Sequence, residues 1–256
     1  MTLKKGVAIL IFLIFTTSAF TQTIITDRPD QTESSSTIPK GSFQIESGIL
    51  FESIKDKGFS EEILLAPTVL SRYGITKGIE IRLLTEFASV KDKLLNGTVK
   101  GITDLQIGTK IQLFKKEGIN TEIAVLSHII VPAAKDDLSI NKFGVINKLA
   151  ISHELSNTIA LGYNIGYDYY GTGKGNLTYS LSFGFGITDK IGFYLEPYGS
   201  IKEFDNHESN FDTGVTYLIN NNFQIDASYG TGINHNMNYI SVGMSINILK
   251  ENKNNI

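Results

Sequence analysis

The feature that most constrains this chain is a period-two alternation of apolar and polar residues, carried in segments longer than ordinary soluble strands. In residues 79–87, Ile79, Ile81, Leu83 and Phe87 share one face, while Glu80, Arg82 and Glu86 share the other. In 105–113, Leu105, Ile107, Ile111 and Leu113 alternate with Gln106, Gly108, Lys110 and Gln112. In 177–185, Leu177, Tyr179, Leu181, Phe183 and Phe185 alternate with Thr178, Ser180, Ser182 and Gly184. A strand turns successive side chains to opposite faces, so each segment reads as a strand with one apolar and one polar face. Helical spacing never replaces this pattern for long.

Extended along the chain, the pattern predicts about twelve strands. They fall at 42–53, 62–73, 79–90, 103–114, 119–131, 144–154, 159–169, 176–186, 191–201, 211–218, 223–231 and 239–249. Most run to about 8–12 residues, where soluble strands average about 5–6 and a tilted bilayer-crossing strand needs about 9–11. The connections alternate as well. Short turns follow every even strand, among them Gly74-Ile75-Thr76-Lys77-Gly78, Leu155-Ser156-Asn157-Thr158 and Ile219-Asn220-Asn221-Asn222. Longer polar loops follow most odd strands, at 91–101, 132–141, 202–210 and 232–238. Short periplasmic turns and long external loops are the pattern of outer-membrane barrels. The expected fold is therefore an all-β, transmembrane, antiparallel up-and-down β-barrel of about twelve strands in a bacterial outer membrane, with both termini periplasmic.

In lipid the sheet must close and the apolar face must point outward. The polar face then lines the lumen, and in this register it includes Glu46, Arg72, Glu80, Arg82, Glu86, Lys110, Gln112, Glu122, Lys148, Glu154, Asp168, Glu196, Gln224 and Asp226. Mixed charge of this kind suits either a hydrated path or a lumen cross-braced by ion pairs. Tyrosine and phenylalanine recur near predicted strand ends, at Phe43, Phe51, Tyr73, Phe87, Tyr169, Phe223 and Tyr239. These positions suit interfacial girdles, although aromatic residues favour strands in any setting.

The start of the chain reads as an export signal: Lys4 and Lys5, an apolar run over 7–15, then Thr16, Thr17, Ser18 and Ala19. The run is short for a spanning helix, so residues 1–21 are assigned to a signal peptide rather than an anchor. A polar segment (22–41) precedes the barrel (42–249), and a polar tail (250–256) follows it. There is no cysteine, which excludes disulfides and thiol chemistry. Net charge is −3, with no basic patch to suggest nucleic acid as a partner. No motif calls for a cofactor or a metal. His128, His153, His207 and His235 have no metal-ligand spacing, and Asp205 with Glu208 reads as solvated loop charge rather than a calcium site. His153 lies beside Ser152, but adjacent strand residues point to opposite faces, so no enzyme is expected.

The polar segment carries a resemblance. Thr26-Asp27-Arg28-Pro29-Asp30-Gln31-Thr32-Glu33-Ser34, followed by Ile38-Pro39-Lys40-Gly41-Ser42-Phe43-Gln44-Ile45-Glu46, is similar to the start of mature proteins in a family of outer-membrane transporters. That family is grouped with proteins of the phenol meta-degradation pathway. The turn Gly186-Ile187-Thr188-Asp189 fits it too. The resemblance implies a β-barrel channel or transporter for small solutes, hydrophobic ones included. The alternative is a structural or surface-interaction barrel with a sealed lumen. The expected partners are the lipid bilayer, small solutes and the barrel-assembly machinery; the oligomeric state is left open.

The segment itself is too polar to cross lipid. It either hangs free in the periplasm or folds into the periplasmic mouth as a plug. In the second case Asp27, Arg28 and Asp30 are its candidate plug residues, and Arg28 is expected to meet Glu46, Glu80 or Glu196.

Overall fold

The computed structural model describes residues 23–248 apart from residue 57, so the expected signal peptide and C-terminal tail lie outside the described residues. The chain forms β1 (Phe43–Asp56), β2 (Phe59–Thr76), β3 (Ile79–Asp92), β4 (Thr98–Ile102), β5 (Leu105–Lys115), β6 (Thr121–Val131) and β7 (Gly144–Ser156). The second half supplies β8 (Ile159–Tyr169), β9 (Asn176–Gly186), β10 (Ile191–Lys202), β11 (Asn206–Asn220), β12 (Phe223–Gly232) and β13 (Asn236–Ile248). Apart from β4 and β5, which both pair with β3, neighbours in sequence pair antiparallel; β1 closes on β13, and β2 pairs with both β1 and β3. The result is a closed antiparallel barrel of 12 strands with β4 as an extra piece.

β4 corrects an expectation, since residues 91–101 read as a loop. It pairs with the external end of β3 (Lys91↔Thr98 to Phe87↔Ile102), while β5 pairs with the other end (Leu84↔Gln106 to Ile79↔Ile111). The two are one wall strand broken at Asp104. That side chain leaves the ladder to accept the Ala133 and Ala134 N–H groups and the Ser139 hydroxyl, fastening the longest external connection. The expected loops at 202–210 and 232–238 also shrink, because β10 runs to Lys202, β11 starts at Asn206 and β13 starts at Asn236. The barrel rises beyond its lipid belt, and there both faces of a strand meet water, so polarity no longer marks a loop.

The two faces are inverted relative to a soluble domain. Ile49, Ile81, Ile107, Ile129, Ile240 and Val242 are exposed on the outside, whereas Glu46, Arg72, Glu80, Lys110, Glu196 and Asp212 are fully buried within. The alternation persists because lipid solvates the first set and the interior must solvate the second. Tyr239, expected in an interfacial girdle, is a correction. It is buried and donates its hydroxyl to Asp212 across the interior. Its strand shows why: Ile240, Val242, Met244 and Ile246 take the outer face, so Tyr239, Ser241 and Gly243 must face in.

Candidate functional site

The interior is occupied by the chain's own polar segment. Residues 23–41 enter beside a periplasmic turn, where the Ile24 N–H donates to the Asn221 carbonyl at 2.7 Å. They leave at the start of β1, where the Gly41 N–H donates to Gly74 at 2.7 Å. Between these points the segment has no regular structure, so its backbone donors need other partners. Wall side chains supply them. Glu46 accepts the Asp27 and Arg28 N–H groups at 2.9 and 3.1 Å, and Glu196 accepts Gln31 at 2.7 Å. Asn164 accepts Glu33 at 2.7 Å, and Glu80 accepts Ile38 at 2.8 Å. Pro29 and Pro39 reduce the entropy lost on ordering, because each fixes φ.

Asp27 is the electrostatic hub. Its carboxylate meets Arg82 at 2.6 Å, Lys110 at 2.8 Å and Arg72 at 3.2 Å. Arg72 also pairs with Glu46 and Glu80, both at 2.8 Å, and Arg82 pairs with Glu33 at 2.9 Å and Glu80 at 3.1 Å. All but Glu33 are essentially buried. Isolated ions in such a place would each cost several kcal/mol, and dense mutual pairing offsets that. The three cations come from β2, β3 and β5, so this part of the wall grips the segment by charge.

The other side grips it differently. Arg28 does not meet Glu46, Glu80 or Glu196 with its side chain, as expected from sequence; its guanidinium pairs with Asp226 at 2.8 Å and reaches Ser241 at 3.0 Å. It lies across Gly48 and Gly243, where any Cβ would collide with it. Thr32 donates to Glu196, Ser35 contacts Ser152 at 2.6 Å, and Ser36 reaches Glu122 at 2.5 Å. Glu122 also pairs with Lys115 at 2.5 Å near the periplasmic rim.

Of the residues expected in the lumen, Glu46, Arg72, Glu80, Arg82 and Lys110 thus join one network around Asp27. Glu196, Glu122 and Asp226 hold other parts of the segment. Glu86 and Lys148 stand in the wall of a cavity on its external side, and Asp30 lines the same space. Glu154 is exposed instead. Glu208, weighed as a loop carboxylate, pairs with Lys202 at 2.6 Å. Ser152 and His153 do face opposite ways: His153 bonds Thr121 at 2.9 Å and stacks on Tyr163, away from Ser152.

Several chambers adjoin the segment, and three of them follow one another from its external side to the periplasmic mouth. The first, about 330 Å³ on its external side, has leucines in its wall: Leu50, Leu65, Leu70, Leu84 and Leu126, with Ile146. These inward apolar side chains depart from the expectation of a wholly polar lining. The second, about 360 Å³, lies between residues 32–35 and a wall of small residues that includes Ser152, Ala160, Gly162, Ser182, Gly184 and Gly192. The third, about 860 Å³, opens by Lys77, Gln112, Lys115 and Glu122 at the periplasmic mouth. The first and second share Arg28, Pro29, Asp30 and Glu33; the second and third share Ser34, Ser35, Ser152 and Ala160.

Comparison with solved structures bears out the architecture. The outer membrane channel from Pseudomonas putida F1 superposes with a TM-score of 0.71 at 11% identity, covering 84% of this chain and 98% of that one. The KdgM porin in complex with disordered oligogalacturonate gives a TM-score of 0.53 at 7% identity, covering 79% and 98%. At such identities the likeness is one of fold, and the fold is that of an outer-membrane barrel. No curated protein matches the sequence. A family match, by contrast, runs over residues 26–248, from the inserted segment to the last strand. On that match the chain belongs to the family described as the MetA-pathway of phenol degradation.

Proposed function

We propose that this protein is a passive outer-membrane channel for small solutes, hydrophobic molecules among them, and that its N-terminal segment is a resident plug. The observation that carries the reading is the asymmetry of the plug's seat. Arg72, Arg82 and Lys110 hold Asp27 against one side of the barrel. On another side the wall is rich in small residues, with Ala160, Gly162, Ser182, Gly184 and Gly192 beside Tyr194 and Thr216, and the chambers there share residues from the external face to the periplasmic mouth. A solute would enter past the leucine wall and leave alongside residues 32–35, with the plug setting the bore. The leucines favour solutes with apolar surface, in keeping with the phenol-degradation family. Catalysis is not part of the proposal, because Ser152 and His153, the pair weighed for it, face apart.

Liposome swelling and planar-bilayer recording with the full protein test this reading. Uptake of small solutes is expected at a low rate, rising when residues 27–36 are deleted. A correctly assembled deletion variant with unchanged permeability would refute the plug. A full-length protein that conducts nothing and admits no solute would favour the sealed structural barrel.

A further inference from the structure

The lumen holds a fourth chamber whose chemistry the channel reading does not use. It measures about 220 Å³ and lies between Gln31 of the plug and the external half of β7 to β11. Strand register builds its wall. Gly166 pairs with Thr178, Thr178 with Ser200, and Tyr198 with Asn210, so the inward positions of β8 to β11 form one continuous patch. Unlike the leucine-walled chamber, this one is lined mainly by polar side chains.

Two observations single it out. Asp168 Oδ1, Thr178 Oγ1 and Asn210 Oδ1 all line it, and each is buried without a hydrogen-bond partner. Asp168 and Asn210 are only 7% and 8% exposed. A buried polar group left unpaired costs about 1–3 kcal/mol, so three in one cavity favour a guest that pairs with them. The second observation is Gly166. A Cβ there would come within 2.5 Å of Thr178 Oγ1 and 3.0 Å of Lys148 Cγ, and both of those side chains line the cavity, so glycine at this position leaves them where they stand.

We infer that this chamber is a binding subsite for small, uncharged, hydroxyl-rich solutes of the polyol or monosaccharide class. The donor and acceptor pattern selects the class. Two of the unpaired atoms, Asp168 Oδ1 and Asn210 Oδ1, only accept; the Thr178 hydroxyl can do either. A solute hydroxyl can likewise donate or accept, so one kind of group satisfies all three. Charge selects against ions. Asp168 and Lys148 line the same cavity and balance one another, so the site carries no net charge to draw an ion of either sign. The subsite needs no conduction to operate, and its occupancy stands apart from whether the channel is open.

Binding is read by saturation-transfer NMR on the full protein in detergent micelles, with glucose, tetramethylammonium chloride and sodium acetate as separate probes. Glucose should give a saturable signal that neither ion displaces. Asn210→Leu and Thr178→Val each remove one partner and should weaken glucose binding about tenfold. Heat-modifiable gel mobility identifies variants that retain the barrel, and either variant alone suffices if the other misassembles. No saturable glucose signal in the wild-type protein overturns the inference. So does unchanged affinity in an assembled variant, or saturable tetramethylammonium binding that glucose fails to displace.

Discussion

Replacing Asp27 with Asn tests the plug at its electrostatic centre. The amide keeps the shape of the side chain and an acceptor for the Ser34 N–H, which donates to Asp27 Oδ1 at 2.8 Å. It removes the charge shared by Arg82, Lys110 and Arg72, at 2.6, 2.8 and 3.2 Å. Breaking a buried ion pair from one side costs about 3–5 kcal/mol. Glu33, Glu46 and Glu80 remain to divide three cations among them, which places the loss near the lower end, at about 3 kcal/mol. Since about 1.4 kcal/mol is a factor of ten, the ratio of unseated to seated plug should rise about a hundredfold. Single-channel recording in planar bilayers reads that ratio as the fraction of time spent in a higher-conductance level. The effect should persist in concentrated salt, because buried pairs are screened little. An assembled Asp27→Asn protein whose traces match the wild type would refute both the seating energy and the idea that the segment sets the bore.

Gly243→Val should push Arg28 from its place beside Asp226 and raise conductance less than Asp27→Asn does. The displaced group is the end of a flexible side chain, so the expected loss is about 1–2 kcal/mol, and equal or greater opening would contradict this ranking. Ile107→Arg places a charge on the lipid face at a cost of about 2–4 kcal/mol near the midplane, whereas Gln106→Arg points inward. Folding yield into vesicles should fall for the first far more than for the second, and equal yields would reverse the assignment of faces. An epitope tag at Asn96 should be accessible on intact cells, and one at Asp189 only after the outer membrane is breached. The opposite labelling would invert the topology.

The sequence makes the barrel legible because lipid enforces its grammar: each wall strand shows one face to hydrocarbon, so residues such as Ile79, Ile81 and Leu83 must recur at every second position. That grammar weakens wherever lipid is absent. Asn206, His207, Glu208 and Ser209 belong to β11, yet they read as a loop because that end of the strand stands in water. It also weakens where a strand changes phase. In β2, Ile63, Leu64 and Leu65 follow one another, and the pairing with β3 shifts between Leu65 and Thr68, so the inward leucines cannot be picked out by counting. The acidic and basic lumen residues were readable as a set. Their pairing was not, since Arg28 and Asp226 lie 198 positions apart and only barrel closure brings them together. Asp27, grouped in sequence with two other candidates, gains its central place from Arg72, Arg82 and Lys110 converging from three strands.

The closure of β1 on β13 has a consequence for the order of assembly. The plug precedes β1 in sequence, yet its seat is made from nearly the whole barrel: Glu46 on β1, Arg72 on β2, Lys110 on β5, Glu196 on β10, Asp226 on β12 and Ser241 on β13. While the sheet is open, Asp226 and Ser241 are far from Glu46, and Arg28 cannot satisfy both sides at once. A segment that precedes every wall strand in sequence is therefore the last to find its place. Docking this late closes the longest contour loops in the molecule, the slow class of event in folding. Acquisition of protease resistance by the N-terminal segment would accordingly mark completion of the seam, lagging behind the appearance of strand structure.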